Sequence, residues 1–248
     1  MTEQAFYTAV YVWTGLALLV FPIMLKISVP YGRHTRPGWG PMLPNRWGWF
    51  WMEIPALVVF SVFFLIGPNR QNVVTWLFFG LWVLHYANRS LVYPLRIRHS
   101  SKGMPLLIVV LAFTFNSING FINGHYFGTI APAYPAHWMG NWRFVSGITL
   151  FAAGLGINWG SDRILIRLRS TAHGRYAIPR GGLFRWISCP NFLGEIVEWG
   201  GFALMVWSLP ALSFFIWTTA NLIPRARDHH RWYRAHFPDY PPQRRALV

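Results

Sequence analysis

Seven apolar stretches run along the chain, and short segments rich in polar and charged residues separate them. A helix needs about 20 largely apolar residues to cross a bilayer, so this pattern predicts an all-α, multi-pass membrane protein. The last two stretches are short and nearly touch at Ser208-Leu209-Pro210, which predicts a tight helical hairpin; alternatively, they form one span, or one of them is re-entrant. The predicted spans are Ala5–Val29, Trp47–Gly67, Val73–Val92, Pro105–Phe127, Phe144–Ile166, Phe192–Trp207 and Leu209–Ile223.

Basic residues follow the same alternation and give the predicted spans a direction. Of the 22 Lys and Arg residues, 20 fall into four clusters between apolar stretches. Because cationic loops stay on the cytoplasmic side, all four clusters should share that face. Two crossings between neighbouring clusters and one before the first give seven transmembrane helices, with the N-terminus outside and the C-terminus cytoplasmic. The clusters are Lys26 to Arg46, Arg89 to Lys102, Arg163 to Arg185 and Arg225 to Arg245, and only Arg70 and Arg143 lie elsewhere.

Composition agrees with a membrane protein and narrows the expected partners. The chain is 54% hydrophobic and carries a net charge of +15, which in a soluble protein would suggest nucleic acid. Here positive-inside topology and contact with anionic lipids explain the charge. We therefore expect membrane lipids as partners, no nucleic acid and no obligatory protein partner. The single Cys189 excludes a disulfide framework and a cysteine-rich metal site, and one membrane domain should account for residues 1–248.

Acidic residues are scarce, and four of them fall within or beside predicted spans. An ionisable group at membrane depth is costly unless it is paired or lines a wet cavity, so each is a functional candidate. The alternative for any one of them is a structural ion pair with one of the many arginines. The four are Glu53, Asp162, Glu195 and Glu198.

A cytoplasmic loop after the fifth span combines groups that suit a phosphate-bearing ligand. Arg167 and Arg169 are expected in this loop, followed by Tyr176 and a Gly181-Gly182 turn. Guanidinium groups bind phosphate oxygens in pairs, and glycine lets backbone N–H groups approach closely. The next helix should begin near Pro190, and its N-terminus adds positive partial charge. The C-terminal segment adds Arg225-Ala226-Arg227-Asp228-His229-His230-Arg231-Trp232-Tyr233.

Two other motifs suggest a dinucleotide fingerprint and a metal site, but their context supports neither. Gly154 and Gly156 have G-x-G spacing, but the next glycine, Gly160, is one residue late for a dinucleotide fingerprint. The stretch also lies in an apolar helix and follows no strand, which excludes a Rossmann unit. The pair His229-His230 has no HExxH or cysteine partner, and adjacent helical side chains point about 100° apart. We expect no metal site.

The motifs together resemble the membrane steroid 5-alpha-reductases. The resemblance spans about residues 31–247 and is most specific from the Gly-Gly-Leu-Phe to the Glu-Trp block of the C-terminal half. Met52 stands where the family commonly has Gln. The matching motifs are Glu53-Ile54-Pro55, His85-Tyr86-Ala87-Asn88-Arg89, Val92-Tyr93, Gly156-Ile157-Asn158, Ser161-Asp162, Ile178-Pro179, Gly181-Gly182-Leu183-Phe184, Asn191-Phe192-Leu193-Gly194-Glu195, Glu198-Trp199, Trp207-Ser208-Leu209-Pro210-Ala211, His229-His230-Arg231-Trp232-Tyr233 and Asp239-Tyr240-Pro241.

The resemblance implies an NADPH-dependent reductase of the C4–C5 double bond of 3-oxo-Δ4 steroids, or of a related enone lipid. It implies that Glu53 and Tyr86 hold the enone carbonyl, with Trp49 and Trp199 also lining the substrate site. Negative charge grows on that oxygen during hydride attack, and donors in a dry pocket stabilise it. Burial also favours the neutral, donating form of a carboxyl group.

The resemblance also divides the chain by task. Residues 1–127 would mainly form the substrate pocket, and residues 143–248 would mainly bind NADPH. Arg96, Arg98 and Lys102 receive no role, because the loop after Tyr93 is longer than in the family. The implied cofactor contacts are Arg89, Tyr93, Asn158, Asp162, Arg169, Tyr176, Asn191, Glu195, Arg225, His229 and Tyr233.

Other functions remain open at this stage. An S-adenosylmethionine-dependent enzyme similar to isoprenylcysteine methyltransferases would share the C-terminal helices, but it would leave Glu53 and Tyr86 without a task. A seven-helix transporter or receptor would not need so many phosphate-suited residues on one face. Reductases of enoyl-CoA, polyprenol or sterol ring double bonds are alternatives within the same chemistry. The expected location is the inner membrane of a bacterium or, in a eukaryote, the endoplasmic reticulum.

Overall fold

Most of the described backbone is helical, as the apolar pattern predicts. A computed structural model describes residues 1–69, 72–97, 103–171 and 175–247. Arg70, Arg98 and Lys102 therefore lie outside the described residues. The helices are α1 (Glu3–Lys26), α2 (Asn45–Ile66), α3 (Val73–Ala87), α4 (Tyr93–Arg96), α5 (Leu106–His125), α6 (Trp142–Thr171), α7 (Pro190–Val206) and α8 (Leu209–His236).

Two helices continue through π-helical segments, which change the direction of the side chains that follow. The segment Asn88–Val92 joins α3 to α4, and Tyr126–Ile130 extends α5. Single turns of π-helix are rare and occur frequently at functional sites. Two strands of two residues, β1 (Met42–Leu43) and β2 (Met104–Pro105), pair antiparallel and are a small addition to the all-α architecture.

Four helices of the described part are long and apolar enough to cross a membrane, which indicates an integral membrane protein. They are Glu3–Lys26, Asn45–Ile66, Leu106–Ile130 and Trp142–Thr171. Helix α7 has 17 residues, fewer than the roughly 20 of a full crossing, and α3 has 15 but continues through the π-helical segment and α4 to Arg96. The count of seven spans and the orientation of the termini stay predictions.

The ends of α6 and α8 correct the sequence prediction. From their apolar content, these spans were predicted to end at Ile166 and Ile223. In the structure, α6 continues to Thr171 and α8 to His236. Arg167 and Arg169, expected in a loop, therefore lie on α6. Hydropathy marks where an apolar surface ends, whereas a helix continues through polar residues whose backbone still makes i to i−4 hydrogen bonds. Basic side chains also suit the negative end of a helix.

The chain divides into two compact units. Unit 1 comprises Met1–Phe6 and Pro30–Asn141, and unit 2 comprises Tyr7–Val29 and Trp142–Val248. In unit 1, α5 packs against α2 through glycines: a Cβ on Gly124 would lie 2.5 Å from the Phe60 carbonyl oxygen. The Trp82 indole on α3 donates to the Ala56 carbonyl of α2 at 2.9 Å, which ties α3 to the same helix.

In unit 2, α6 and α7 approach each other along a glycine seam. A Cβ on Gly154 would lie 2.3 Å from the Glu198 nitrogen, and one on Gly194 would lie 2.5 Å from the Asn158 nitrogen. Small residues allow such backbone contact between membrane helices. The expected hairpin between α7 and α8 is confirmed: Trp207 adopts a left-handed conformation (φ 52°), and the Ser208 hydroxyl caps α8 by accepting from the Ala211 N–H.

Candidate active site

A buried carboxylate forms the centre of the site in unit 1. Glu53 lies on α2, and its Oε1 is 3.6 Å from Nη2 of Arg89, with side-chain exposures of 12% and 11%. Its Oε2 lies 3.4 Å from the Asn116 amide nitrogen. Both carboxylate oxygens therefore have a protein partner, and each partner comes from a different element. A buried ion pair with this geometry is weak evidence for stability by itself, but it fixes both charges in place.

Aromatic rings surround the Arg89 guanidinium. Its Cζ lies 4.9 Å from the centre of the Trp49 ring and 5.1 Å from that of Tyr93. The Trp49 and Tyr93 rings meet edge to face at 5.2 Å. The π-helical segment places Arg89 between these rings and the carboxylate of Glu53. Cation–π contacts strengthen when the cation loses water, so this cage favours a charged guanidinium inside an apolar unit.

Tyr86 lies one turn before Arg89, on the wall that α3 presents to α2. Its side chain is 4% exposed and packs against Trp82 and His85, with ring centres 5.1 and 5.0 Å away. Trp82 binds the backbone of α2 at Ala56, one turn after Glu53. Along the chain, Tyr86 lies between Trp82 and Arg89, whose side chains contact Ala56 and Glu53 of α2. That Tyr86 and Glu53 act as a pair stays a prediction.

Asn116 is a site residue that the sequence analysis missed. It lies on α5, is 6% exposed, and donates from Nδ2 to the Met52 carbonyl at 2.6 Å as well as toward Glu53. The usable signal was a row of three amides in an otherwise apolar helix: Asn116, Asn119 and Asn123 at spacings of three and four. Residues with this spacing share one helix face. Their burial shows that this face points into the unit.

In unit 2 the glycine seam positions a second polar group. Asn158, on α6, is 1% exposed and donates from Nδ2 to the Asn191 carbonyl at 3.0 Å. The same amide nitrogen is 3.5 Å from Oε2 of Glu195, on α7. Its Oδ1 is buried and has no hydrogen-bond partner in the part of the chain that the structure describes. A buried acceptor without a partner is costly, so this oxygen suits a ligand that brings a donor.

Aromatic contacts link the expected cofactor residues on α6, α7 and α8. Cζ of Arg169 lies 5.7 Å from the centre of the Tyr176 ring, and Tyr176 meets Trp232 edge to face at 5.1 Å. The rings of Phe192 and His229 approach to 5.5 Å. Gly181 and Gly182, with φ of 91° and 49°, form the expected turn. Unit 2 therefore contains a guanidinium group, aromatic rings and amides. Groups of these kinds suit a dinucleotide.

Three further residues of the implied cofactor set are buried in the same unit. Asp162 is 5% exposed, Arg225 is 8% exposed and Tyr233 is 2% exposed. Trp199, implied as a substrate contact, is 1% exposed and packs against Phe214 with ring centres 4.6 Å apart. In this structure Trp199 is therefore part of the packing between α7 and α8. Its substrate role stays a prediction.

A network at the end of unit 2 was also missed. The Ser188 hydroxyl lies 2.6 Å from Nδ1 of His230 and 2.7 Å from the Tyr240 hydroxyl, and it donates to the Arg245 carbonyl at 3.0 Å. Burial and, to a smaller extent, the charge of Arg234 lower the pKa of His230 below its usual value. The network anchors the C-terminal segment beside α8. No three His, Cys, Asp or Glu side chains in the described ranges converge as a metal site would require.

Comparison with known proteins places these features in a family. A family model described as 3-oxo-5-alpha-steroid 4-dehydrogenase matches residues 102–248. The chain is 42% identical over 234 residues to steroid 5-alpha-reductase DET2 of Arabidopsis thaliana, covering 91% of this chain and 89% of that protein. It is 36% identical over 242 residues to 3-oxo-5-alpha-steroid 4-dehydrogenase 1 of Bos taurus, covering 96% and 93%. The human 3-oxo-5-alpha-steroid 4-dehydrogenase 1 is 33% identical over 248 residues, covering 99% and 95%.

These matches cover both units. They include the Glu53 carboxylate of unit 1 as well as the Asn158 amide and the arginines of unit 2. The protein is an oxidoreductase that acts on a CH–CH group. The chain belongs to the 3-oxo-5-alpha-steroid 4-dehydrogenase family, whose members are also named steroid 5-alpha-reductases.

Proposed function

We propose that this protein uses NADPH to reduce the C4–C5 double bond of a 3-oxo-Δ4 steroid or a related enone lipid. The observation that carries this proposal is the largely enclosed carboxyl group of Glu53, which contacts Arg89 and Asn116 in the same unit as the buried side chain of Tyr86. Family membership supplies the reaction class, and the names of the relatives supply the steroid.

Unit 1 would hold the carbonyl end of the substrate. Bound NADPH would supply a hydride for the β-carbon of the substrate, and negative charge would then develop on the carbonyl oxygen. The Tyr86 hydroxyl and a protonated Glu53 would donate hydrogen bonds to this oxygen and stabilise its growing charge. The α-carbon then takes a proton, so the product gains two hydrogens across the former double bond.

The ion pair between Glu53 and Arg89 sets a condition on this mechanism. A carboxyl group that donates to the substrate must face it, whereas here Oε1 of Glu53 faces the Arg89 guanidinium at 3.6 Å. Arg89 is also in the proposed cofactor set. We propose that Arg89 turns away from Oε1 of Glu53 when the ligands bind, which leaves this oxygen free to meet the substrate carbonyl.

Unit 2 would hold most of the cofactor. Arg169 and Arg225 suit phosphate oxygens, since guanidinium groups bind them bidentately. The partnerless Oδ1 of Asn158 suits the N–H of an amide or an amino group. Tyr176 and His229 present rings on which a base can stack. Asp162, Asn191, Glu195 and Tyr233 complete the proposed set in this unit, and Tyr93 joins Arg89 in unit 1.

The methyltransferase and transporter alternatives gain no support from the site. The similarity to the family members covers between 91% and 99% of the chain, so it includes the half that contains Glu53 and Tyr86. That half would have no task in a methyltransferase.

The proposal is tested with the purified protein and a matched pair of steroids. A 3-oxo-Δ4 steroid should be reduced with consumption of one NADPH per molecule, and product analysis should show hydrogen at C4 and C5 with the 3-oxo group intact. The corresponding 3-hydroxy-Δ4 steroid has the double bond but no conjugated carbonyl, and it should not react. Absence of NADPH consumption with every enone in a panel of steroids, polyprenals and sterol precursors would overturn the proposal.

A further inference from the structure

The Glu53 carboxylate is held from two sides, and its second contact has no role in the mechanism so far. Arg89 faces Oε1, whereas the Asn116 amide lies 3.4 Å from Oε2. If Arg89 turns away, Asn116 is the contact that keeps the carboxyl in place. Met52, the residue before Glu53, has a thioether side chain, so the amide beside this carboxyl comes from α5.

Asn116 also binds the backbone of the turn that carries Glu53. Its Nδ2 donates to the Met52 carbonyl at 2.6 Å. Pro55 lies in the same turn of α2 and has no N–H, so this turn has one helical hydrogen bond fewer than a regular helix. The Asn116 amide adds a donor from outside the helix, to the Met52 carbonyl in this same stretch of α2.

The packing of α5 against α2 explains why this amide reaches its partners. Gly120 follows Asn116 by one turn, and a Cβ there would lie 3.2 Å from the Pro55 carbonyl oxygen. The close contact brings the backbone of α5 to α2 at the level of Glu53. Asn116 is 6% exposed, so its amide is fixed by packing as well as by hydrogen bonds.

We propose that Asn116 is a positioning residue for Glu53, which holds Oε2 toward α5 and so directs the other carboxyl oxygen to the substrate carbonyl. This inference rests on the proposed role of Glu53. It extends that role to a third helix, because the reactive carboxyl is oriented by α5 and not by its own helix alone.

A double-mutant cycle separates positioning from a purely structural tie. Asn116→Leu removes the donor with little change in volume, and we expect kcat to fall by about tenfold, equivalent to the loss of one hydrogen bond between neutral groups. The NADPH dissociation constant should stay unchanged, and Asn116→Gln should restore part of kcat. In a Glu53→Gln background, Asn116→Leu should change kcat by less than about twofold, since residues that act through one another are not additive.

The control is Asn123→Leu on the same helix. Asn123 is 1% exposed and its Nδ2 donates to the Asn119 carbonyl, so this variant loses a buried amide that does not contact Glu53. It can lower thermal stability as much as Asn116→Leu does, but kcat per folded molecule should be unchanged. An equal kcat loss from Asn116→Leu in both backgrounds would overturn the proposal.

Infrared spectroscopy gives a second readout that needs no turnover. The carboxyl bands of Glu53 are identified by their disappearance in Glu53→Gln. Asn116→Leu should shift these bands because a donor to Oε2 is lost, and Asn123→Leu should leave them in place. Unshifted bands in Asn116→Leu would reject the contact itself. Shifted bands in Asn116→Leu, together with no enone reduction by the wild-type protein, would reject the proposed function alone.

Discussion

Glu53 in unit 1 and Asn158 in unit 2 are both buried polar groups, but their oxygens are satisfied in different ways. Both oxygens of Glu53 contact protein groups, Arg89 on one side and Asn116 on the other. Asn158 uses its Nδ2 within the protein, whereas its Oδ1 has no partner among the described residues. Side chains of unit 1 therefore hold both oxygens of Glu53, whereas the buried Oδ1 of Asn158 in unit 2 can still accept a hydrogen bond from a ligand. Such a difference is expected if unit 1 carries out the chemistry and unit 2 binds the cofactor.

Glycine contacts hold the helices together in both units, and substitution of one such glycine should have the largest effect. Gly154→Ala would place a methyl group 2.3 Å from the Glu198 nitrogen. Since this neighbour is backbone and cannot rotate away, we expect unfolding to become easier by about 3 kcal/mol or more, the upper end of overpacking costs. Thermal unfolding in detergent measures it.

Gly156→Ala is the matched control on the same helix. Its Cβ would meet nothing within 4 Å, so the helix should gain about 0.5–1 kcal/mol from the alanine. Equal stability of the two alanine variants would show that α6 and α7 are not in backbone contact.

The next largest effect should come from unit 1. Tyr86→Phe keeps the ring that packs on Trp82 and removes only the hydroxyl. We expect kcat to fall on the order of 10²-fold, as on loss of one oxyanion donor. NADPH binding should survive. Stopped-flow measurement of NADPH oxidation at saturating NADPH and enone gives the value, and a normal kcat in a folded variant would remove Tyr86 from the chemical step.

Glu53→Gln distinguishes a donor from a structural ion pair. If Glu53 donates, the amide keeps a donor, and the variant should retain more turnover than Glu53→Ala. If its task is only to pair with Arg89, Glu53→Gln should lower thermal stability and leave turnover per folded molecule near normal. The ratio of kcat to the wild-type value, corrected for folded fraction, separates these two results.

Unit 2 should respond in binding and not in chemistry. Arg169→Ala and Arg225→Ala each remove a proposed contact to phosphate, at a cost of roughly 1.5–3 kcal/mol, or about tenfold to hundredfold in NADPH affinity. The KM for the enone should change much less. Arg163→Ala, at an exposed position on α6 outside the proposed set, is the control. Unchanged NADPH affinity in both variants would leave these arginines only a role in topology.

The smallest effect concerns His230 and the pH dependence of stability. Its pKa is lowered in the folded protein by burial and then by Arg234, from an ordinary value of 6.5. As the pH falls below 6.5, His230 binds a proton more readily in the unfolded chain than in the folded protein. The contribution of His230 to stability is therefore present above pH 6.5 and is lost as the pH falls. His230→Gln should therefore show a shallower loss of melting temperature between pH 7 and pH 5. An identical slope in both proteins would contradict this linkage.

Much of this architecture follows from the sequence, and the exceptions have physical causes. The starts of α3, α7 and α8, and the turn at Trp207 and Ser208, were predictable because apolar length, proline and cap residues determine them locally. The continuation of α6 to Thr171 was not, since hydropathy carries no information about helical backbone outside an apolar region.

The candidate residues of the site followed from the sequence, but their contacts did not. Glu53, Tyr86 and the arginines were proposed from their chemistry and from family motifs, and their roles stay predictions. The pairing of Glu53 with Arg89 was foreseen only as a general alternative, because which arginine meets which acid depends on helix packing. Asn116 was missed because its role comes from the approach of α5 to α2, a contact that Gly120 and Gly124 permit and that no local pattern reveals.

The most direct test of the division of tasks is the NADPH dissociation constant of two variants measured side by side, without enone. The account predicts that Arg169→Ala weakens NADPH binding by about tenfold or more. It predicts that Glu53→Gln leaves binding unchanged or tightens it, since Arg89 loses its competing partner. Weaker binding in Glu53→Gln together with normal binding in Arg169→Ala would contradict the assignment of the cofactor to unit 2 and of the carbonyl to unit 1.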